Sequence, residues 1–173
     1  MSKDDDVNAA RLYVLTFVCS GNICRSPIAE LVVIDLLERE GMADLVRVDS
    51  AGIGDWHVGH GADPRALSVL KGHGVDGSRH RARQLDRSEL ATADLLVAMD
   101  AGHAEALRRY AVGEQDRAKV RLMRSFDPDA DPDDLDLDDP YYGDDAGFTT
   151  TLEQILAAAP GLVAHVRAAV TTP

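Results

Sequence analysis

Residues 12–41 constrain the fold more than any other part of the chain. Leu12-Tyr-Val-Leu-Thr-Phe-Val-Cys19 is a nearly unbroken β-branched and aromatic run, the pattern of a strand covered on both faces within a parallel sheet. Pro27 then opens a segment to Glu40 in which Ile28, Leu31, Val32, Ile34 and Leu37 fall near helical spacing, and Gly41 closes it. Proline just inside the start and glycine just past the end is the asymmetry of a helix. The chain is therefore expected to leave a buried strand and enter a helix through the short loop Cys19-Ser20-Gly21-Asn22-Ile23-Cys24-Arg25-Ser26.

The same alternation continues. Leu45 to Ser50 reads as a strand and Gly52 to Asp63 as a Gly-rich loop; a helix starts at Pro64 with Asp63 as its cap and ends at Gly72 and Gly74. Leu95 to Met99 is a further strand, Ala101 to Tyr110 a helix and Lys119 to Met123 a short strand. Thr149 to Val170 reads as a last helix, in which Pro160 and Gly161 predict a break or kink. Helical patterns between strands define an α/β class, a single doubly wound domain of about four parallel strands, with no internal repeat. A chain of 173 residues buries roughly 70% of its unfolded surface, which suits one domain. That domain is assigned to residues 11–173, and residues 1–10 to a disordered tail.

In such sheets ligands bind beyond the carboxyl ends of the strands, which directs attention to the loop after the first one. A loop running from a strand end into a helix N-terminus turns several backbone N–H groups inward, and the helix dipole adds about half a positive charge. The result is an anion cradle. Gly21 and Asn22 can take the left-handed backbone angles that curl it, and Arg25 brings a planar fork able to bond two phosphate oxygens at once. Cys19, at the base of this positive nest, is expected to attack as its thiolate, with Ser26 donating a further bond to the sulfur.

Composition removes several other classes. The net charge is −12, but ten of the thirty acids lie within 127–145, where there is no base, so the remainder carries only about −2. An acidic chain without a basic stripe argues against nucleic acid as a partner and leaves room for one small anion. Two cysteines, Cys19 and Cys24, make neither a secreted disulfide framework nor a zinc-ligand set, so a reduced cytoplasmic setting is expected. The acidic start lacks the positive charge of a leader, and the apolar run from Leu12 to Val18 falls far short of the ~20 residues of a membrane span. No membrane association is expected.

The loop Cys19-Xaa5-Arg25-Ser26-Pro27 resembles the phosphate-binding loop of the low molecular weight protein tyrosine phosphatases. The likeness runs on through Asp49-Ser50-Ala51-Gly52, Asp55-Trp56-His57-Val58-Gly59, Asp63-Pro64-Arg65-Ala66, His80-Arg81-Ala82-Arg83-Gln84, Ala98-Met99-Asp100 and Asp139-Pro140-Tyr141-Tyr142-Gly143. It covers most of residues 12–160 and is nearest to bacterial members with a long acidic insert. The resemblance implies hydrolysis of phosphotyrosine in proteins, with attack by Cys19 and transition-state binding by Arg25 and the amides of Ser20, Gly21, Asn22, Ile23, Cys24 and Ser26. It further implies an orienting role for Asn22 with His80 behind it, and thiolate support from Ser26. Tyrosine-phosphorylated proteins become the expected substrates, inorganic phosphate and other oxyanions the expected inhibitors, and no metal or cofactor is called for.

A phosphate ester also needs its leaving oxygen protonated, and composition cannot choose among ten aspartates. Asp139-Pro140-Tyr141-Tyr142-Gly143 stands out because proline fixes the chain after the acid and two rings follow that can flank an aryl group. The resemblance places the general acid at Asp139, makes Tyr141 and Tyr142 one wall of the cleft and Trp56 the opposite one. Asp138 is the nearest competitor for the acid, and packing the competing role for Trp56. Cys24 is either a packing residue or the partner that captures an oxidised Cys19 as a disulfide. Among rivals, arsenate reduction on the same fold requires more cysteines, and phosphoarginine hydrolysis goes with a small polar residue where this loop has Ile23. Asp127-Pro-Asp129-Ala-Asp131 suggests a calcium loop, but Pro132 stands where glycine is required and Asp138 where the loop needs Glu. A non-catalytic phosphotyrosine reader has no use for both Cys19 and Asp139.

Overall fold

β1 (Tyr13–Cys19) lies between β2 (Val46–Gly52) and β3 (Leu95–Ala98), and β4 (Val120–Leu122) pairs with the far side of β3. Every pairing is parallel, with Thr16 opposite both Asp49 and Leu96, and Leu96 opposite Val120. The computed structural model describes residues 10–172, so the tail assigned to 1–10 lies, Ala10 apart, outside the described residues. Between and after the strands come α1 (Arg25–Arg39), α2 (Pro64–Gly72), α3 (Glu89–Thr92), α4 (Ala101–Tyr110), α5 (Glu114–Arg117) and α6 (Asp145–Thr171). Met123–Phe126 and Pro140–Tyr142 form 3₁₀ turns. The sequence pattern marks neither these turns nor α3 and α5, which are too short to carry a period.

Strand alternation sorts the central side chains onto two faces. Leu15, Phe17, Leu95 and Val97 join a core closed by α1 and α6, through Ile28, Val32, Ile155 and Leu162. Val18, Leu96 and Ala98 join a second core with Ala104 and Leu107 of α4. Helices thus cover both sides, as the unbroken apolar run in β1 requires.

The helix ends follow local chemistry. α1 starts at Arg25, two residues before Pro27, because the N–H that proline lacks is unpaired anyway in a first turn. It stops where Gly41 takes φ +70°, with Gly41 N–H on Glu38 O (3.1 Å) and Met42 N–H on Leu37 O (2.8 Å), the two bonds of a Schellman end. α2 runs through Gly72, and Gly74, at φ +84°, makes the left-handed turn.

The expected break at Pro160 does not occur. α6 is one helix of 27 residues that begins four residues before Thr149, where Asp144 caps Gly147 N–H at 3.3 Å. Proline removes one backbone bond, but Ile155, Ala158, Ala159, Leu162 and Val163 are buried on both sides of it, and that packing carries the helix through. Gly161 serves closeness rather than flexibility, since a Cβ there would strike the Phe126 carbonyl oxygen.

Candidate active site

The strand order reverses its winding between β1 and β3, and in open α/β sheets such a switch point opens a crevice at the carboxyl ends. Cys19 ends β1 there, and Met99-Asp100 follows β3. A cleft of about 420 Å³ occupies the crevice. Its floor is Cys19, Ser20, Gly21, Ile23, Cys24 and Arg25; Trp56, His57, Asp139, Tyr141 and Tyr142 complete the lining. Asp138, the competing acid, is not part of the lining.

Beneath the floor the loop is held by a closed set of hydrogen bonds. Asn22 is fully buried at φ +59°, the one positive φ among the described non-glycine residues. Its backbone N–H points at Cys19 Sγ (3.3 Å), and its carbonyl accepts from His80 Nε2 (2.7 Å). Its side-chain amide donates to Ser26 Oγ and Ser50 Oγ, both at 2.9 Å, while Arg83 N–H donates to its Oδ1 at 3.0 Å. Ser26 Oγ, already accepting from Asn22, lies 2.9 Å from Cys19 Sγ, so its own hydrogen is left for the sulfur. Ser50 in turn donates to Glu30 Oε2 at 2.6 Å, and His80 Nδ1 lies 3.7 Å from the same oxygen. Asn22, Ser26 and His80 thus sit behind the loop, outside the lining of the cleft. Gly21 does not supply the left-handed turn; it supplies space, since a Cβ there would come within 2.8 Å of His57 Cδ2.

Arg25 is 3% exposed and tied from three directions. Its Nη1 donates to Asp100 Oδ2 (2.8 Å) and to Leu137 O (2.7 Å), and its Nη2 lies 3.6 Å from Asp139 Oδ2. Burial works against the charge of Asp100, yet the His103 backbone N–H and the Arg25 guanidinium hold its carboxyl below the usual carboxylate range. The acidic segment is drawn to this point by one buried apolar residue, Leu137, whose N–H bonds Met99 O at 2.9 Å. Arg124 Nη1 reinforces it by donating to the carbonyls of Asp134 and Asp136, at 2.8 and 3.0 Å. Asp139 then caps the 3₁₀ turn, accepting from Tyr141 N–H at 3.1 Å.

The walls are open aromatics. Trp56 is 68% and Tyr142 87% exposed, which rules out packing as the main role of either ring. Tyr141 and Tyr142 meet edge to face at 4.9 Å, and His57 stands 6.1 Å from Tyr141. Cys24, by contrast, is 5% exposed; burial, with Asp63 adding to it, pushes its thiol far up from the ordinary range.

His103 has no counterpart in the reading of the sequence. Its Nε2 lies 2.8 Å from Ser20 Oγ and its Nδ1 3.2 Å from Asp100 Oδ1. Burial brings its pKa down to about 4, so a neutral imidazole braces the loop. The one local signal was its place three residues after Asp100, the cap of α4.

Nucleophile and positive charge converge here on a single point, which puts the chain in the class of cysteine-dependent phosphatases. Within that class, the family model for the low molecular weight phosphotyrosine protein phosphatases matches residues 14–172, and the chain belongs to that family. A low molecular weight protein-tyrosine-phosphatase of Streptomyces coelicolor is 54% identical over 155 residues, which cover 90% of this chain and 94% of the relative. Among solved structures, a protein tyrosine phosphatase of Entamoeba histolytica with Hepes in its active site superposes with a TM-score of 0.85 at 30% identity, covering 91% of this chain and 98% of that one. Vibrio vulnificus Wzb in complex with benzylphosphonate superposes with a TM-score of 0.74 at 31% identity, covering 88% and 97%.

Proposed function

We propose that this protein hydrolyses phosphotyrosine in proteins through a phosphorylated Cys19. The observation that carries the reading is that one cleft holds Cys19, Arg25 and Asp139, the last two 3.6 Å apart. The Cys19 thiolate attacks phosphorus, forming the S–P bond as the ester P–O bond breaks, and Asp139 gives its proton to the departing phenol oxygen. Water then attacks phosphorus; Asp139, now a carboxylate, takes the proton of that water, and the S–P pair returns to sulfur. Nη1 of Arg25 is committed to Asp100 and Leu137, so the other edge of the fork meets two phosphoryl oxygens, with the loop amides and the α1 N-terminus taking the rest of the charge. These steps call on no metal or cofactor.

Trp56, Tyr141 and Tyr142 in the lining suit an aromatic ring packed among them, as does apolar Ile23 in the floor. The complex of Wzb with benzylphosphonate, in which one methylene joins a phenyl ring to a phosphorus oxyanion, supports an aryl phosphate as the substrate. Phosphate and other oxyanions then compete for the cradle. Two free thiols, Cys19 and Cys24, support a reducing, cytoplasmic setting; where peroxide oxidises Cys19 to a sulfenic acid, the Cys24 sulfur attacks it, the S–O bond breaks and water leaves as the disulfide forms. The test is turnover of a phosphotyrosine peptide in EDTA by the parent and by Cys19→Ser. Full activity in EDTA for the parent and loss in the variant, with vanadate binding retained, are expected. Turnover by Cys19→Ser, dependence on a metal, or faster hydrolysis of a phosphoarginine peptide would overturn the proposal.

A further inference from the structure

We propose that Arg65 is the positioning residue for the general acid, fastening the Asp139 segment to the phosphate loop; this rests on the assignment of Asp139 above. Asp139 lies between two anchors. Upstream, Leu137 is bonded to Met99. Downstream, Arg65 Nη2 donates to Tyr141 O (3.1 Å) and Nη1 to Gly143 O (3.0 Å), gathering two carbonyls of the segment that follows the acid. The guanidinium stacks 4.5 Å over the ring of fully buried Phe148 in α6.

Its other side is held as tightly. Asp63, the cap of α2, accepts from Arg65 Nε (3.0 Å) and Nη2 (2.9 Å) as well as from its backbone N–H (2.8 Å). The N–H of Asp63 in turn bonds Ile23 O of the phosphate loop at 2.8 Å. A continuous path of hydrogen bonds therefore runs from the cradle to the acid, and one side chain carries it across the gap between α2 and the 3₁₀ turn. Within the turn Pro140 is buried, but Tyr141 and Tyr142 are exposed, so the carbonyl ends of the turn rely on Arg65. A lysine, a single point of charge, cannot bond a carboxylate twice and two carbonyls together. Because displacement by about 1 Å costs up to about a hundredfold in rate, loosening this tie is expected to impair proton delivery while leaving the cradle intact.

The experiment compares Arg65→Ala, Arg65→Lys, Asp139→Ala and the double Arg65→Ala/Asp139→Ala on a phosphotyrosine peptide and on nitrophenyl phosphate. kcat/KM is the measured quantity because it reports the step in which the leaving group departs, and inhibition by inorganic phosphate reports the cradle. Arg65→Ala should lower kcat/KM for the peptide about tenfold or more, a part of the roughly 10²–10⁴ that a positioned acid supplies. The loss on nitrophenyl phosphate, whose leaving oxygen needs little protonation, should be several times smaller, and inhibition by phosphate should stay within about twofold, since the interactions lost lie outside the cradle. In the Asp139→Ala background the Arg65 substitution should cost nothing further. Equal losses on both substrates, or additive losses in the double variant, overturn the proposal and leave Arg65 a fold-stabilising residue. If Asp139→Ala is itself indifferent to the leaving group, the acid assignment fails first. If Arg65→Ala does not fold, Arg65→Lys supports the same comparison, with an intermediate selective loss expected.

Discussion

Lowering the pH from 7 to 5 should cost this protein about 2 kcal/mol of stability through His103 alone. Burial brings the imidazole down to about 4 in the folded chain, from an ordinary 6.5. Asp100, Asp136 and Asp139 pull the other way and Arg25 assists, but burial wins. The unfolded chain therefore takes up the proton first, and stability fully present above 6.5 is lost on the way down to about 4. The whole gap is worth roughly 3 kcal/mol at about 1.36 kcal/mol per pH unit, and about 2 of it is gone by pH 5. Asp100, whose carboxyl is held low, loses its contribution chiefly below about pH 4, outside this window. His165 is also held down by burial and by Arg121, so the measurement must be a difference. Urea midpoints of the parent and of His103→Asn at pH 7 and 5 provide it, since asparagine can still share a hydrogen bond with Ser20 Oγ and does not titrate. The parent should lose about 2 kcal/mol more than the variant between the two pH values. Equal losses, or an NMR titration of His103 centred near its ordinary value, would refute the argument.

Arg25→Lys should lose about 10²–10³ in kcat and bind phosphate more weakly, because a point charge replaces neither the fork nor the bonds to Asp100 and Leu137; steady-state kinetics with near-normal constants would place Arg25 outside the transition state. Gly161→Ala should destabilise by about 1–3 kcal/mol or more, since its Cβ meets the Phe126 carbonyl, and a urea midpoint equal to that of the parent would contradict the close approach of α6. Cys24→Ser should keep most of its turnover but recover poorly when a thiol reductant follows peroxide, because the Cys19 sulfenic acid then proceeds to sulfinic acid. Burial keeps Cys24 a thiol, so capture should be slow; full recovery of the variant, or no bond between residues 19 and 24 by mass spectrometry, removes that role.

The strand, loop and helix of residues 12–41 could be read with boundaries within two residues of the structure, since β1 begins at Tyr13 and α1 at Arg25. Their signals are local: an apolar run, a proline acceptable in a first turn, a glycine free to go left-handed. α4 matched residue for residue, from Ala101 to Tyr110, because Asp100 caps one end. α6 did not, since a proline inside a helix is decided by what packs around it.

In the site, Cys19, Arg25 and the loop between them are contiguous in sequence, so composition and order alone marked a cradle with a nucleophile at its base. The sequence by itself could not say which of ten aspartates faces that cradle. Tertiary structure settles this through Leu137, whose contacts with Met99 and Arg25 join residues far apart along the chain. His103 went unmarked and Arg65, although part of a quoted motif, had no role for the same reason: each acts on a partner some eighty residues away, at Ser20 and at Tyr141. The role of Gly21 changed from turning to making room for His57. Local order prescribes backbone conformation within a turn or two, because capping, proline and glycine act over that distance. Which carboxylate, which cation and which ring meet in the cleft depends on how α2, α4 and the acidic segment dock at the carboxyl end of the sheet, and docking leaves no periodic trace in the chain.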